Sequence, residues 1–179
     1  MGLKTDHQPD RGGHRLILTI VDHGSNCNEV HLLHTKDEAF NKLVTFTNAF
    51  QQQFDLNINV IRTDGGGEFV NAKFSKCAKQ NGIRNQHTHP NTSASNGKAE
   101  RFHRTLINSA RAMLWASSLP HRYWGGAVTY ASYIRNRVST RANADYNFPL
   151  EVLTGKAPRV SHSLRFGSKC KVHIHRKTA

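Results

Sequence analysis

Cysteine is scarce and scattered. The 179-residue chain has three, Cys27, Cys77 and Cys170, and no CxxC pair. An odd, widely spaced set excludes a disulfide framework and a zinc knuckle. It fits a reduced, intracellular setting. Acidic residues are also few: 12 Asp and Glu face 25 Lys and Arg, a net charge of +13. A basic surface gains affinity by releasing counterions from phosphates, so the imbalance points to a polyanionic partner. The charge is spread along the chain and forms no tail, so it is expected to coat a folded surface. Long apolar runs are missing; none nears the roughly 20 residues of a membrane helix, and no membrane partner is expected. The opening "MGLKTD" has no apolar signal core, and Asp6 stands where a myristoylation motif wants Ser or Thr. Internal repeats and low-complexity tracts are absent as well.

What is present is an alternation of strands and helices. Residues 1–13 are polar, with Pro9, Gly12 and Gly13, and read as irregular. "HRLILTIVD" (14–22) and "CNEVHLLH" (27–34) read as a hairpin about the turn "HGSN". A helix over 35–54 follows, with Thr35 and Glu38 as a capping box. "NINVIRTD" (57–64) is a strand, "NAKFSKCAKQNG" (71–82) a helix stopped by Gly82, and "IRNQHTH" (83–89) a short strand. "PNTSASNG" (90–97) reads as a loop. A long helix from about Asn96 to Ser117 buries Ala99, Phe102, Leu106, Ala110, Met113 and Leu114, and another lies near 120–138. The tail ends in a strand, "CKVHIH". A helical crossover between strands predicts an α/β fold, a mixed sheet flanked by helices.

The strand ending at Asp64 runs straight into Gly65, Gly66 and Gly67. Asp-Gly is a common turn signal, and a turn is one reading. The other is chemical: a carboxylate beside bare backbone admits a bulky ligand, such as a metal ion carrying a phosphate. Glu100 opens the long helix, and Arg104, Asn108 and Arg111 share its face. A solvated helix face with a Glu–Arg pair reads that pattern equally well. Thirty-five residues separate Asp64 from Glu100, enough to return the helix start to the strand end. Two carboxylates there suit Mg²⁺, a hard ion that takes a few carboxylates plus water and phosphate oxygens. Lys98, Arg101, Arg104 and Arg111 would then hold a nucleic-acid backbone, and Gly66 with its neighbours would let that backbone approach.

The stretches "LTIVDHGS", "RTDGGGEF", "NGIRNQ", "SNGKAERFHRT", "LPHRYWGGAVTYASYIRNR", "PLEVLTGKAP" and "FGSKCKVHIH" together resemble the integrase catalytic core of copia-type LTR retrotransposons. That family lies within the DDE, RNase H-like polynucleotidyl transferases. The resemblance implies that Asp64 and Glu100 are the second and third acids of a catalytic triad. It implies Mg²⁺ or Mn²⁺ as cofactor, element ends and target DNA as partners, a homo-oligomer, and the nucleus as the place of action. The family's first acid belongs on the first of three antiparallel strands, and only two precede the first helix in this reading. The sheet is therefore expected to lack its first strand, and the chain to be an incomplete fragment that starts just after its first catalytic carboxylate. Asp22 matches an acid on the second strand and is a further candidate for the catalytic set. Antiparallel pairing is expected to put it at the opposite edge of the sheet from Asp64. Residues 14–138 are expected to form the core and 139–179 a C-terminal extension. The alternative function is a catalytically inactive nucleic-acid-binding remnant.

Overall fold

The computed structural model describes residues 1–5, 8–63, 69, 72–87 and 93–171. Three antiparallel strands come first: β1 (Gly2–Thr5), β2 (Leu16–Val21) and β3 (Asn28–Leu33). Gly2 pairs with Thr19 and Thr5 with Leu16; Leu16 pairs with Leu33 and Val21 with Asn28. Helix α1 (Glu38–Phe54) leads to β4 (Val60–Thr63), α2 (Ala72–Gln80) and β5 (Arg84–His87). β4 and β5 pair in parallel, as a helical crossover demands. The Met1 nitrogen donates to the Arg62 carbonyl at 2.8 Å and links the two ladders. Three helices complete the chain: α3 (Ser93–Ser117), α4 (Trp124–Arg135) and α5 (Pro149–Thr154).

The expectations of an irregular residue 1–13 segment and of a missing first strand are both corrected by β1. Four residues, Gly-Leu-Lys-Thr, carry too little pattern to announce a strand. It is the edge of β2 that makes them one, by supplying the ladder partners. The link to β2 is then fixed by Asp10, whose Oδ1 accepts from the Gly12 and His14 amides, both at 2.8 Å.

β2 is buried on both faces: Leu16, Ile17, Leu18 and Thr19 are each 5% exposed or less. Its alternation sends Ile17 to one core and Leu16 and Leu18 to another. Ile17 joins Phe102, Leu106, Ala110 and Leu114 of α3 and Trp124, Ala127, Val128 and Ala131 of α4. Leu16 and Leu18 join Leu33, Ala39, Leu43, Phe69 and Phe74. The sheet therefore lies between α3–α4 on one side and α1–α2 on the other. Gly125 is required where α4 crosses β3, because a Cβ there would sit 2.7 Å from Leu32 Cδ1 and closer still to Asp10 Oδ2.

Helix ends differ from expectation in detail. α1 starts at Glu38, and Glu38 Oε2 accepts from the His34 amide at 3.2 Å instead of closing a box with Thr35. α3 starts at Ser93, inside the stretch expected to be loop. Gly82 does end α2, with φ +65°. The expected "CKVHIH" strand is irregular at Cys170 and Lys171, and its remainder lies outside the described residues.

Two histidines are held neutral by the fold. Burial lowers the His103 pKa, with Lys4 adding to it, and burial with Lys42 lowers that of His31. His103 Nδ1 lies 3.3 Å from Thr19 Oγ1, so α3 and β2 share this contact. Below their ordinary value of 6.5 the unfolded chain takes protons that the folded chain refuses. Stability that is complete above that pH is lost as pH falls toward the lowered folded value. The urea midpoint is expected to drop between about pH 7 and 5.5, and to drop less in His103→Asn. Leu106, fully buried between α3 and the sheet, sets a second test. Leu106→Ala is expected to cost about 2–5 kcal/mol in urea unfolding.

Candidate active site

β4 ends at Thr63, which is fully buried, and Phe69 is fully buried as well. In the sequence these two residues flank the stretch that carries Asp64, Gly66 and Glu68. Residues 64–68 themselves, like Asp6, lie outside the described residues.

α3 presents the remaining candidates. Its inner stripe is Phe102, Leu106, Ala110 and Leu114, all buried; Ala99 and Met113 are half-buried. At 3.6 residues per turn the opposite stripe faces water. Glu100, Arg101, Arg104, Asn108 and Arg111 are all exposed, as the spacing requires. Lys98 differs. Its Nζ donates to the His23 carbonyl at 2.6 Å. Burial lowers its pKa, and the Asp22 carboxylate opposes that. Lys98 thus staples the first turns of α3 to the β2–β3 turn, two residues before Glu100.

Asp22 opens that turn. Its Oδ2 accepts from the Ser25 amide and from Ser25 Oγ, both at 2.7 Å. Its amide donates to the Cys27 carbonyl at 2.8 Å. Burial pushes the neighbouring Cys27 thiol up to about 11, which disfavours its thiolate.

The expected separation of Asp22 from Asp64 concerns a residue outside the described set, and what the structure describes is the surroundings of Asp22. A cavity of about 380 Å³ is lined by Ile20, Val21, Asp22 and His23 from the end of β2. Val60, Ile61 and Arg62 of β4 and Gln86 of β5 line it too, with Met1, Lys98 and Ala99. The physical reason is register. β4 meets the start of β1, at Met1, and the antiparallel β1–β2 ladder puts the end of β2 beside that start. The end of β2 therefore comes beside β4 at Val60–Arg62. Arg62 and Gln86, read from the sequence only as strand residues, line this cavity, and Arg62 Nη2 donates to Gln86 Oε1 at 3.1 Å. Their signal was the alternation of "VIRT", which puts Arg62 and Val60 on one face.

Among the described residues no three His, Cys, Asp or Glu side chains cluster as a metal site. The donor chemistry nevertheless separates the acids. Glu100 is exposed and has no ion-pair partner among the described residues, so its oxygens are available to a hard cation. Asp22 has one oxygen committed to Ser25 and stands near the Lys98 ammonium, which disfavours a second positive charge beside it.

No family model matches the chain. It is 33% identical over 163 residues to the retrovirus-related Pol polyprotein of transposon TNT 1-94 from Nicotiana tabacum, covering 91% of this chain and 12% of that protein. Identity to the Pol polyprotein of transposon RE1 from Arabidopsis thaliana is 29%, over 88% of this chain and 10% of the relative. For the truncated Ty1-A Gag-Pol polyprotein of Saccharomyces cerevisiae it is 27%, over 75% and 11%. The chain thus spans about a tenth of the length of these relatives. Among solved structures it resembles the HTLV-2 integrase catalytic core domain in complex with magnesium, in a trimeric form. The TM-score is 0.60 at 17% identity, over 85% of this chain and 93% of that one. It also resembles a chain of the simian T-cell lymphotropic virus intasome, with TM-score 0.64 at 16% identity, over 99% of this chain and 59% of the other. By sequence, over most of its length, this chain is a relative of the Pol polyproteins of copia-type and Ty1 retrotransposons, and its fold is the RNase H-like fold of an integrase catalytic core.

Proposed function

We propose that this chain is the catalytic core of a retrotransposon integrase, which trims DNA 3′ ends with water and then joins the 3′-OH to target DNA. The observation that carries the reading is the convergence of β2, β4 and the first turns of α3 on one cavity. Asp64 follows β4 directly, and Glu100 follows Lys98 by two residues. Both supply hard oxygen donors for Mg²⁺ or Mn²⁺. Asp64 and Glu100 would hold the ion, which would supply charge stabilisation for the attacking and leaving oxygens. Arg101, Arg104, Asn108 and Arg111 grip phosphates, which positions DNA without reading its sequence. Gly66 and its neighbours give the backbone room to approach. Lys98 orients α3 through the His23 carbonyl more than it contacts DNA. Magnesium in the viral core and assembly in the trimer and the intasome support a metal-dependent oligomer; action on DNA in the nucleus is the further part of this proposal.

The third acid is the open position. Met1, ahead of β1, lines the cavity, and Gly2, Leu3, Lys4 and Thr5 of β1 bring no carboxylate. Asp22 reaches the same cavity but serves the Ser25 turn. This favours one second reading, an inactive module that binds nucleic acid. Residues 1–179 are therefore expected to bind DNA yet transfer strands poorly, since losing one member of a group acting as a unit removes most of its activity.

Met1→Asp, carried on an upstream strand extension, is expected to bring metal-dependent cleavage. Asp64→Asn or Glu100→Gln in that chain then removes it by about a hundredfold or more, while Asp22→Asn changes it only a few-fold. Robust cleavage by residues 1–179 that disappears in Asp22→Asn would instead make Asp22 the third ligand. DNA binding supplies an independent check. Neutralising Arg104 and Arg111 is expected to weaken binding to all sequences alike and to flatten the salt slope by about 0.9 per lost phosphate contact. An unchanged slope moves the DNA surface elsewhere on the molecule.

A further inference from the structure

We infer that Trp115 is a DNA contact, an indole that stacks on an unpaired or terminal base at the far end of the basic face of α3. The inference rests on the nucleic-acid reading of that face given above.

The chain has two tryptophans. Trp124 is 3% exposed, and its Nε1 donates to the Gln8 carbonyl at 3.0 Å. Trp115 is 89% exposed. Its place on α3 is not arbitrary. Positions 104, 108, 111 and 115 are spaced i, i+4, i+7 and i+11, and at about 100° per residue they fall within a stripe roughly 60° wide. That stripe is opposite Phe102, Leu106 and Ala110, so packing gives no reason for an indole there. Leaving a large apolar ring in water forgoes the burial that usually places it.

Charge decides what would cover it. Arg104 and Arg111 share the stripe, and Arg101 lies beside it. The acid on that face, Glu100, is at the other end of the helix. A second copy of this chain carries +13 and meets those arginines with repulsion. A polyanion with flat aromatic faces meets them with attraction on both counts. Nucleic acid is that ligand, and an aromatic side chain beside arginines is the combination that holds unpaired strands. Trimming a 3′ end leaves the opposite strand unpaired, which supplies such bases within the proposed reaction. With a rise of 1.5 Å per residue, Trp115 lies about 22 Å along the helix from Glu100. A strand tracking the helix at about 3.4 Å per nucleotide covers that in six or seven nucleotides.

The test uses the chain as it stands and a short duplex with unpaired 5′ thymidines. Because Trp124 is buried, a change in tryptophan emission on adding DNA reports on Trp115. Quenching is expected in the wild type and absent in Trp115→Ala, whose residual Trp124 emission also confirms its fold. Trp115→Ala is expected to weaken binding about tenfold with the salt slope unchanged, since a stacking contact releases no counterion. Trp115→Phe is expected to stay within about threefold, since a smaller ring still stacks. Unquenched emission and wild-type affinity in Trp115→Ala, alongside a slope that still responds to Arg104 and Arg111, overturn the inference and leave the DNA reading standing. Emission that shifts with protein concentration before DNA is added also overturns it, in favour of contact between copies. A wild type that binds no DNA defeats the nucleic-acid reading itself.

Discussion

The burial of β2 on both faces is the constraint that the rest of this chain obeys. A strand with Ile17 facing one side and Leu16 and Leu18 the other needs a helical layer on each. α3 supplies one layer with a stripe of four residues at helical spacing, backed by α4. Once Phe102, Leu106, Ala110 and Leu114 are locked inward, the angular position of every other residue on α3 is set. Glu100, Arg104, Asn108 and Arg111 then have no packing role and face outward together. The basic surface is thus a consequence of the core: rotating α3 by one residue, about 100°, would bury an arginine and expose a leucine.

The β2–β3 turn is the second fixed point, and polar contacts make it so. The Asn28 amide and Nδ2 donate to Asn136 Oδ1, Asn136 Nδ2 returns to the Asn28 carbonyl at 2.7 Å, and Ser132 Oγ donates to Asn28 Oδ1 at 2.6 Å. Asn143 Nδ2 donates to the Ser25 carbonyl at 3.0 Å, and Asn26 Nδ2 to Asn143 Oδ1. Asn28 and Asn143 are buried, so each unmade bond would cost the desolvation of its group. Closed networks of this kind specify one arrangement. They clamp α4 and the chain after it onto the same turn that holds Asp22 and receives Lys98. The wall of the cavity is therefore rigid from behind, where nothing catalytic is proposed.

Legibility in the sequence followed periodicity. β2, α1 and the inner stripe of α3 were readable because each repeats an apolar pattern over several positions, at period 2 or 3.6. β1 was not, since Gly-Leu-Lys-Thr becomes a strand only through pairing with β2. The capping box at Thr35 failed for a related reason: Glu38 found the His34 amide closer, and local motifs do not know where the preceding strand ends. The site was half legible. Asp64 and Glu100 stood out by spacing and by a family resemblance, whereas the approach of the β2 end to β4 is a matter of register between distant segments. No local signal encodes that register, so the cavity that Arg62 and Gln86 line beside Asp22 became visible only in the fold.

The same packing leaves an electrostatic debt. Between described residues the carboxylates at contact distance from a basic side chain are Asp10, beside His14, and Glu29, beside His31, and neither meets a lysine or arginine. The lysines and arginines that outnumber acids by 25 to 12 are, within that set, not neutralised by carboxylates at contact distance. Their mutual repulsion opposes the compact state. It is relieved by counterions or by a polyanion laid along the surface, and only the second gains affinity from releasing the first. A ligand that binds the folded chain and not the unfolded one stabilises it by mass action. Under the proposed DNA binding, charge, fold and binding would be one linked equilibrium: the arginines that cost stability in the free chain would be the groups that gain most from a polyanion.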